Sequence, residues 1–129
     1  MKADPQLKPL YRWESANGWD DNTISFKKAK SLIISACELY NVEPPEVLLH
    51  TTRALPFSYY DFDIISMQRD KYLNVPVSLH EAAHHIVKKV HGMRPQDHGP
   101  TFLGIYLDLL NRNGFPMHIN ARAHGLRWK

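Results

Sequence analysis

The sequence predicts a small α+β fold with an N-terminal helix, a sheet of about three antiparallel or mixed strands, and two further helices. Residues 26–40 and 78–92 repeat apolar side chains at intervals of three and four, which is the period of an amphipathic helix. The residues between these helices are rich in β-branched and aromatic side chains, which favour strands. The 129 residues fit one domain, 1–129, with a basic tail at about 115–129.

The first residues, about 1–22, predict an extended arm with no regular helix. They contain two prolines, Pro5 and Pro9, and two tryptophans whose rings we expect to dock on the domain. The first helix follows over residues 26–40, and Cys37 lies in its apolar stripe. Because Cys37 is the only cysteine, an intrachain disulfide and a cysteine-built zinc ribbon are excluded.

A β-region follows the first helix. The stretch EVLLHTT predicts one strand, and FSYYDFDIISMQ predicts one long or two short strands before a turn at Arg69-Asp70. Pro76 then precedes a histidine-rich helix, and Pro100 starts a last helix that ends at Asn113-Gly114. We expect five side chains of the last helix to face the core: Phe102, Leu103, Tyr106, Leu107 and Leu110.

The stretch SLHEAAHHIVKKVHG, residues 78–92, contains four of the eight histidines of the chain. As a helix it has one apolar stripe, which runs from Leu79 to Val90, and His80 and His84 fall together on one flank of that stripe. Four residues of helix rise by about 6 Å, so two imidazoles one turn apart can bind one zinc ion. Glu81 lies on a neighbouring sector, where its carboxylate can act as a base without coordinating the metal. The HExxH pattern therefore predicts a zinc hydrolase site.

Catalytic zinc normally takes three protein ligands, so a third ligand must come from another part of the chain. The third ligand cannot be a histidine six residues after His84, because that position is Val90. It cannot be a downstream glutamate either, because no glutamate follows Glu81. His98 in DHGPTF is the better candidate, because a short loop can fold it back beside the pair. Asp97 is the weaker candidate.

The other two histidines of this helix are not expected to bind the metal. His91 lies about 10 Å along the helix from His84, which is too far for a shared ion, and we expect it to be a helix-end or cleft-lining residue. His85 points away from the pair and is expected to be solvated.

The motif HExxH at 80–84, followed fourteen residues later by HGxxF at 98–102, resembles the SprT-like (Spartan-type) zinc metalloprotease domain. The resemblance covers about residues 26–113 and implies a minimal zincin-like fold. Small standalone members of this family are similar to phage-encoded proteins. The resemblance also implies Glu81 as general base and proton shuttle, and three ligands of Zn²⁺: His80, His84 and His98.

The function that the resemblance implies is zinc-dependent cleavage of a protein or peptide substrate, with DNA-associated proteins as one expectation. A strand within Ile64–Met67 would line the cleft and pair with an extended peptide. Two alternatives stay open: a nonenzymatic zinc-stabilised binding module, in which Glu81 is dispensable, and a zinc hydrolase of a non-peptide substrate. The oxyanion-stabilising residue is also left open among Tyr59, Tyr60, Tyr106 and His118.

The positive charge of the chain is concentrated in its tail. Residues 115–129 contain Arg122, Arg127 and Lys129 and no acidic residue, which accounts for the formal net charge of +3. This tail could contact single-stranded DNA, with Trp128 stacking on a base, or it could fold back on the domain through apolar residues that include Leu126. No apolar run reaches the length of a membrane span, and no signal-peptide pattern is present, so we expect a cytoplasmic protein, in the host cytoplasm if phage-encoded.

Overall fold

The computed structural model describes residues 4–17, 23–50, 58–61, 63–69, 73–92, 95, 97–115 and 117–128, without the side chains of 118 and 119. Within these residues the fold is α+β, as predicted, with five helices and a three-stranded mixed sheet. The elements in chain order are α1 (Leu7–Ala16), α2 (Phe26–Leu39), β1 (Glu46–His50), β2 (Tyr59–Asp61), β3 (Ile64–Gln68), α3 (Val75–His91), α4 (Pro100–Arg112) and α5 (His118–Ala123).

The sheet has the strand order β1-β3-β2. β1 is parallel to β3, with Glu46 opposite Ile64, and β2 is antiparallel to β3, with Tyr60 opposite Ile65. The prediction of about three mixed strands is confirmed, and the second strand-forming stretch forms two short strands. Residues 51 and 52 of the first predicted strand, 57 and 62 of the second strand-forming stretch and 70 of the predicted turn lie outside the described residues.

The expected role of Ile64–Met67 as the peptide-pairing strand is wrong. These residues belong to β3, which is bonded to β1 on one side and to β2 on the other. A central strand has its backbone donors and acceptors paired within the sheet, so an additional strand cannot join it. In the described sheet β2 is an edge strand, and its residues line the cleft described below together with residues of α3.

The expectation of no regular helix in the N-terminal arm is also wrong, because Leu7–Ala16 form α1. Pro9 is the third residue of α1, where a backbone N–H would have no acceptor within the helix, so proline is tolerated there. The first helical bond runs from the N–H of Leu10 to the carbonyl of Gln6 at 2.9 Å. Leu10 and Trp13 are fully buried, which confirms that Trp13 docks on the domain, whereas Trp19 lies outside the described residues.

The helix α3 is the centre of the fold and contacts α2, α4, β2 and β3. It starts at Val75, so Pro76 lies in its first turn and does not precede the helix as predicted. The side chain of Asn74, directly before it, accepts a hydrogen bond from the N–H of Val77 at 2.9 Å. It ends at Gly92, whose φ of 72° lies in the left-handed region that favours glycine. Val90 was expected in the apolar stripe but is 51 % exposed, because it lies in the last turn beyond Val87, the last buried residue of α3.

The predicted bounds of α2 and α4 agree with the structure to within one residue. α2 begins after Ser25, whose hydroxyl accepts from the N–H of Lys28 at 3.1 Å, and Cys37 in α2 is a buried free thiol. α4 begins at Pro100, the first-turn position that proline favours. All five side chains predicted to face the core from α4 are buried: Phe102, Leu103, Tyr106, Leu107 and Leu110.

The tail folds back on the domain, as one of its two expected arrangements predicts. Leu126 is fully buried, and the indole N–H of Trp13 donates to the side-chain oxygen of Asn120 at 2.6 Å. The guanidinium of Arg122 lies 4.9 Å from the centre of the Trp128 ring. Among the described helices, none combines the length and apolar character that crossing a membrane requires.

Candidate metal centre

Three histidine side chains meet between α3 and the start of α4. His80 and His84 are one turn apart on α3, and His98 comes from the loop directly before α4. One ring nitrogen from each residue can be chosen so that all three lie within 4.8 Å of one another. The Nε2 atoms of His80 and His84 are 3.2 Å apart, close to the spacing of roughly 3.3 Å expected for two ligands of one tetrahedral zinc ion. The three residues can therefore hold one metal ion.

Two of the three rings are oriented by carboxylates from the N-terminal segment. The Nδ1 of His80 lies 2.8 Å from Glu14, and the Nδ1 of His98 lies 2.8 Å from Asp4. The hydroxyl of Tyr106 also donates to Glu14, at 2.7 Å. A histidine that donates its Nδ1 proton to a carboxylate presents the lone pair of Nε2, which is the usual arrangement around a metal-binding histidine. α1 and the residues before it therefore complete the site that α3 begins.

The unpaired nitrogen of His98 tests independently whether a metal fits. His98 Nε2 is buried and has no hydrogen-bond partner within the described part of the chain. An unsatisfied buried polar group costs about 1–3 kcal/mol, and a cation between the three rings would satisfy this one. A donor set of three imidazoles suits Zn²⁺ as well as other divalent transition metals. A metal therefore fits, and the donor set alone does not select which one.

The metal-free histidines hold protons with different affinities. Burial lowers the pKa of His80, but the charge and hydrogen bond of Glu14 outweigh burial and raise this pKa to about 9. Burial and the positive charge of His80 hold the pKa of His84 well below its ordinary value. Burial is also the main cause that lowers the pKa of His98. One proton, on His80, therefore has to leave when a metal binds at neutral pH.

Glu81 faces the same cleft as the histidines. It is only 7 % exposed, and its carboxylate forms no hydrogen bond with the described residues. Burial raises the pKa of Glu81, the positive charge of His80 lowers it, and the negative charge of Glu14 raises it. The net result is a pKa of about 7. A carboxylate that is unbonded and titrates near neutrality can both accept and return a proton.

The cleft over the three histidines has a volume of about 350 Å³. α3 contributes Val87 and Lys88 to its lining besides the site residues, and β2 contributes all three of its residues. Tyr11 of α1 and Asp97 also line the cleft, and both are exposed. The cleft is therefore open to solvent and bordered by an edge strand of the described sheet.

The structure places His98 and not Asp97 in the metal-binding group. Asp97 lines the cleft but is exposed, and the cluster of potential ligands found among the described residues consists of the three histidines. His91 is the exposed last residue of α3, as expected for a helix-end residue.

The expectation that His85 is solvated is wrong. His85 is 1 % exposed, its Nε2 lies 2.6 Å from the carbonyl oxygen of Glu43, and its Nδ1 lies 3.2 Å from the hydroxyl of Tyr60. Both partners come from elements distant in sequence, which the helical period of α3 does not reveal. His85 thus links α3 to the residues before β1 and to β2, and so it helps to set the position of the cleft wall.

The four candidates for an oxyanion-stabilising residue differ in their surroundings. Tyr106 is fully buried and donates to Glu14, and the hydroxyl of Tyr60 donates to Asp63 at 3.2 Å. Tyr59 lines the cleft, and its ring lies 5.7 Å from that of His50. The side chain of His118 lies outside the described residues.

Sequence reasoning missed three residues of the site: Asp4, Tyr11 and Glu14. A signal for the two carboxylates exists, because each metal-binding histidine needs an acceptor for its second ring nitrogen. The apolar stripe of α1 consists of its two buried residues, Leu10 and Trp13. This stripe is too short to identify α1 as a helix from the sequence. The sequence also could not indicate which carboxylate meets which histidine, since the pairs are 66 and 94 residues apart.

Comparisons of the chain with models of known protein families, with curated proteins and with solved structures found no match.

Proposed function

We propose that the protein is a zinc-dependent endopeptidase of the SprT-like kind, in which His80, His84 and His98 hold Zn²⁺ and Glu81 is the general base. One observation carries the proposal. Three imidazole nitrogens lie within 4.8 Å of one another beside a buried carboxylate that has no hydrogen-bond partner among the described residues, and all of these groups border one open cleft.

The chemistry divides between the metal and the residues of the chain. When bound, zinc polarises the scissile carbonyl and lowers the pKa of a water molecule to near neutrality. Glu81 accepts a proton from the water as the new carbon–oxygen bond forms. Glu81 then returns this proton to the amide nitrogen as the carbon–nitrogen bond breaks, so the carboxylate is regenerated. The pKa of Glu81, raised by burial to about 7 in the metal-free chain, suits a group that must take up and release a proton near neutral pH.

The shape of the site supports a peptide substrate. An extended chain can lie in an open trough between α3 and β2, and β2 has a strand neighbour on only one side in the described sheet. A non-peptide small molecule would favour an enclosed pocket. The exposed residues at the rim, Tyr11, Asp61 and Asp97, are consistent with a substrate that extends beyond the cleft.

A cleavage assay tests the proposal. Zinc-loaded protein is incubated with a mixture of unstructured peptides, and new termini are identified by mass spectrometry. Glu81→Gln should reduce cleavage by at least about 10²–10⁴-fold while one zinc stays bound, because it removes a proton acceptor and no ligand. Glu38→Gln, an exposed position on α2, is the matched control and should cleave like the parent.

Equal cleavage by the parent and by Glu81→Gln would contradict the proposed role of Glu81. No cleavage by either protein, together with zinc-dependent stability in both, would favour the nonenzymatic zinc-stabilised module instead.

A further inference from the structure

Tyr11 of α1 stands out among the aromatic residues near the site because it is 51 % exposed. Its ring lies edge-on to His98, with a centroid distance of 5.8 Å, and roughly parallel to His80 at 6.5 Å. It lines the same cleft as Glu81. Its hydroxyl forms no hydrogen bond with any residue in the described ranges. An aromatic ring placed over two metal ligands, with its polar end unbonded, is available to a bound substrate.

Two neighbouring phenols are already engaged. Tyr106 is buried beneath the site and donates to Glu14, and Tyr60 donates to Asp63. Tyr11 therefore differs from both in having a hydroxyl that substrate can reach without breaking an internal hydrogen bond.

Contacts on both sides of Tyr11 fix its backbone. Glu14, one turn later, is bonded to His80 and Tyr106. Gln6, five residues earlier, donates to the carbonyl oxygen of His98 at 2.9 Å. The helix that carries Tyr11 is thus tied to the metal ligands at both ends, so the backbone of Tyr11 is held beside the site before substrate arrives.

We propose that Tyr11 is a catalytic residue that donates a hydrogen bond to the oxygen of the scissile carbonyl as negative charge develops on it. When the oxygen of water bonds to the carbonyl carbon, the π electrons move to the carbonyl oxygen. Tyr11 stabilises that charge and keeps its own proton, since a phenol is a neutral donor at neutral pH. When the carbon–nitrogen bond breaks, the electrons return and the interaction weakens. This inference rests on the proposed peptidase function.

The test compares Tyr11→Phe with the parent in the zinc-loaded state. Loss of one oxyanion donor typically lowers kcat by about 10²–10³-fold, and we expect this loss with KM changed by less than about threefold. A phosphinic peptide, which mimics the tetrahedral transition state, should bind the variant more weakly by a similar factor in a calorimetric titration. A product peptide should bind both proteins equally, and zinc affinity should be unchanged.

Tyr40→Phe is the matched control, because it removes a phenol that donates to Asp108 away from the cleft, at 2.6 Å. It should leave kcat and phosphinate binding as in the parent. If Tyr11→Phe keeps kcat and phosphinate affinity within threefold of the parent, or raises KM alone, Tyr11 is not the oxyanion donor. This outcome is distinct from failure of the proposed function, which appears as parental activity that does not depend on Glu81.

Discussion

Replacing Glu14 by glutamine should change the pH dependence of zinc binding more than it changes the affinity at neutral pH. In the metal-free protein, Glu14 outweighs the effect of burial and raises the pKa of His80 to about 9. His80 is therefore protonated at pH 7, and zinc must displace that proton. Raising the pH removes the proton in advance, so the affinity should rise about tenfold per pH unit from pH 7 and level off near pH 9.

The substitution has two opposing effects. Glutamine removes the charge that holds the proton on His80. At pH 7, two units below the pKa of about 9, this proton weakens zinc binding by about 100-fold, and the variant loses that weakening. Glutamine also removes the carboxylate that orients the His80 ring, and such a loss typically weakens metal binding by roughly 10–100-fold. The two effects offset each other at pH 7, and only the loss remains at pH 9.5. We therefore expect the variant to be within about tenfold of the parent at pH 7 and about 10–100-fold weaker at pH 9.5.

Zinc affinity can be measured with chelator-buffered zinc between pH 6.5 and 9.5. Asp108→Asn is the matched control, because Asp108 also accepts a tyrosine hydroxyl, that of Tyr40 at 2.6 Å, but does not line the cleft. It should show the pH dependence of the parent. A Glu14→Gln protein with the same steep pH dependence as the parent would refute the assigned role of Glu14.

Three further outcomes follow from the structure. In elemental analysis, His98→Ala should lose zinc whereas Asp97→Asn should keep one equivalent. Full zinc binding by His98→Ala would indicate Asp97 as the third ligand instead. His85→Ala should lower the free energy of unfolding by about 2–3 kcal/mol, measured with denaturant, because a buried side chain and its two partly buried hydrogen bonds are lost; an unchanged value would contradict this role. The nucleic-acid role of the tail stays a prediction: alanine at both Arg122 and Arg127 should flatten the salt dependence of single-stranded DNA binding by about 0.7 log units per lost phosphate contact, and an unchanged slope would exclude these side chains.

Locally encoded features of the fold could be predicted from the sequence. The period of apolar residues and the capping residues determine where α2 and α4 begin and end, and these bounds agree with the structure to within one residue. The end of α3 is also predicted to within one residue, but α3 begins at Val75, three residues before the predicted stretch. The pair His80 and His84 follows from the geometry of one helical turn. His98 follows from the short loop between two well-defined helices, which limits how far it can lie from the pair.

Features that depend on contacts between distant segments could not be predicted. The sequence does not identify α1 as a helix, because a segment with proline in its first helical turn has the same composition as an extended arm. The tail is also linked to the metal centre by a contact that no local pattern reveals, because Gln6 donates to the carbonyls of both His98 and Arg127 and accepts from the Arg127 N–H. Deleting the tail would therefore disturb the metal centre, and point substitutions are the better test of DNA binding.

X-ray absorption at the zinc edge tests the three-histidine metal centre most directly. Protein loaded with one equivalent of zinc should show four nitrogen or oxygen neighbours at about 2.0–2.1 Å and the outer-shell scattering of three imidazole rings. His98→Ala, if it retains any zinc, should lose the scattering of one ring. A six-coordinate oxygen environment in the parent, or a parental spectrum that His98→Ala reproduces, would contradict the centre formed by His80, His84 and His98.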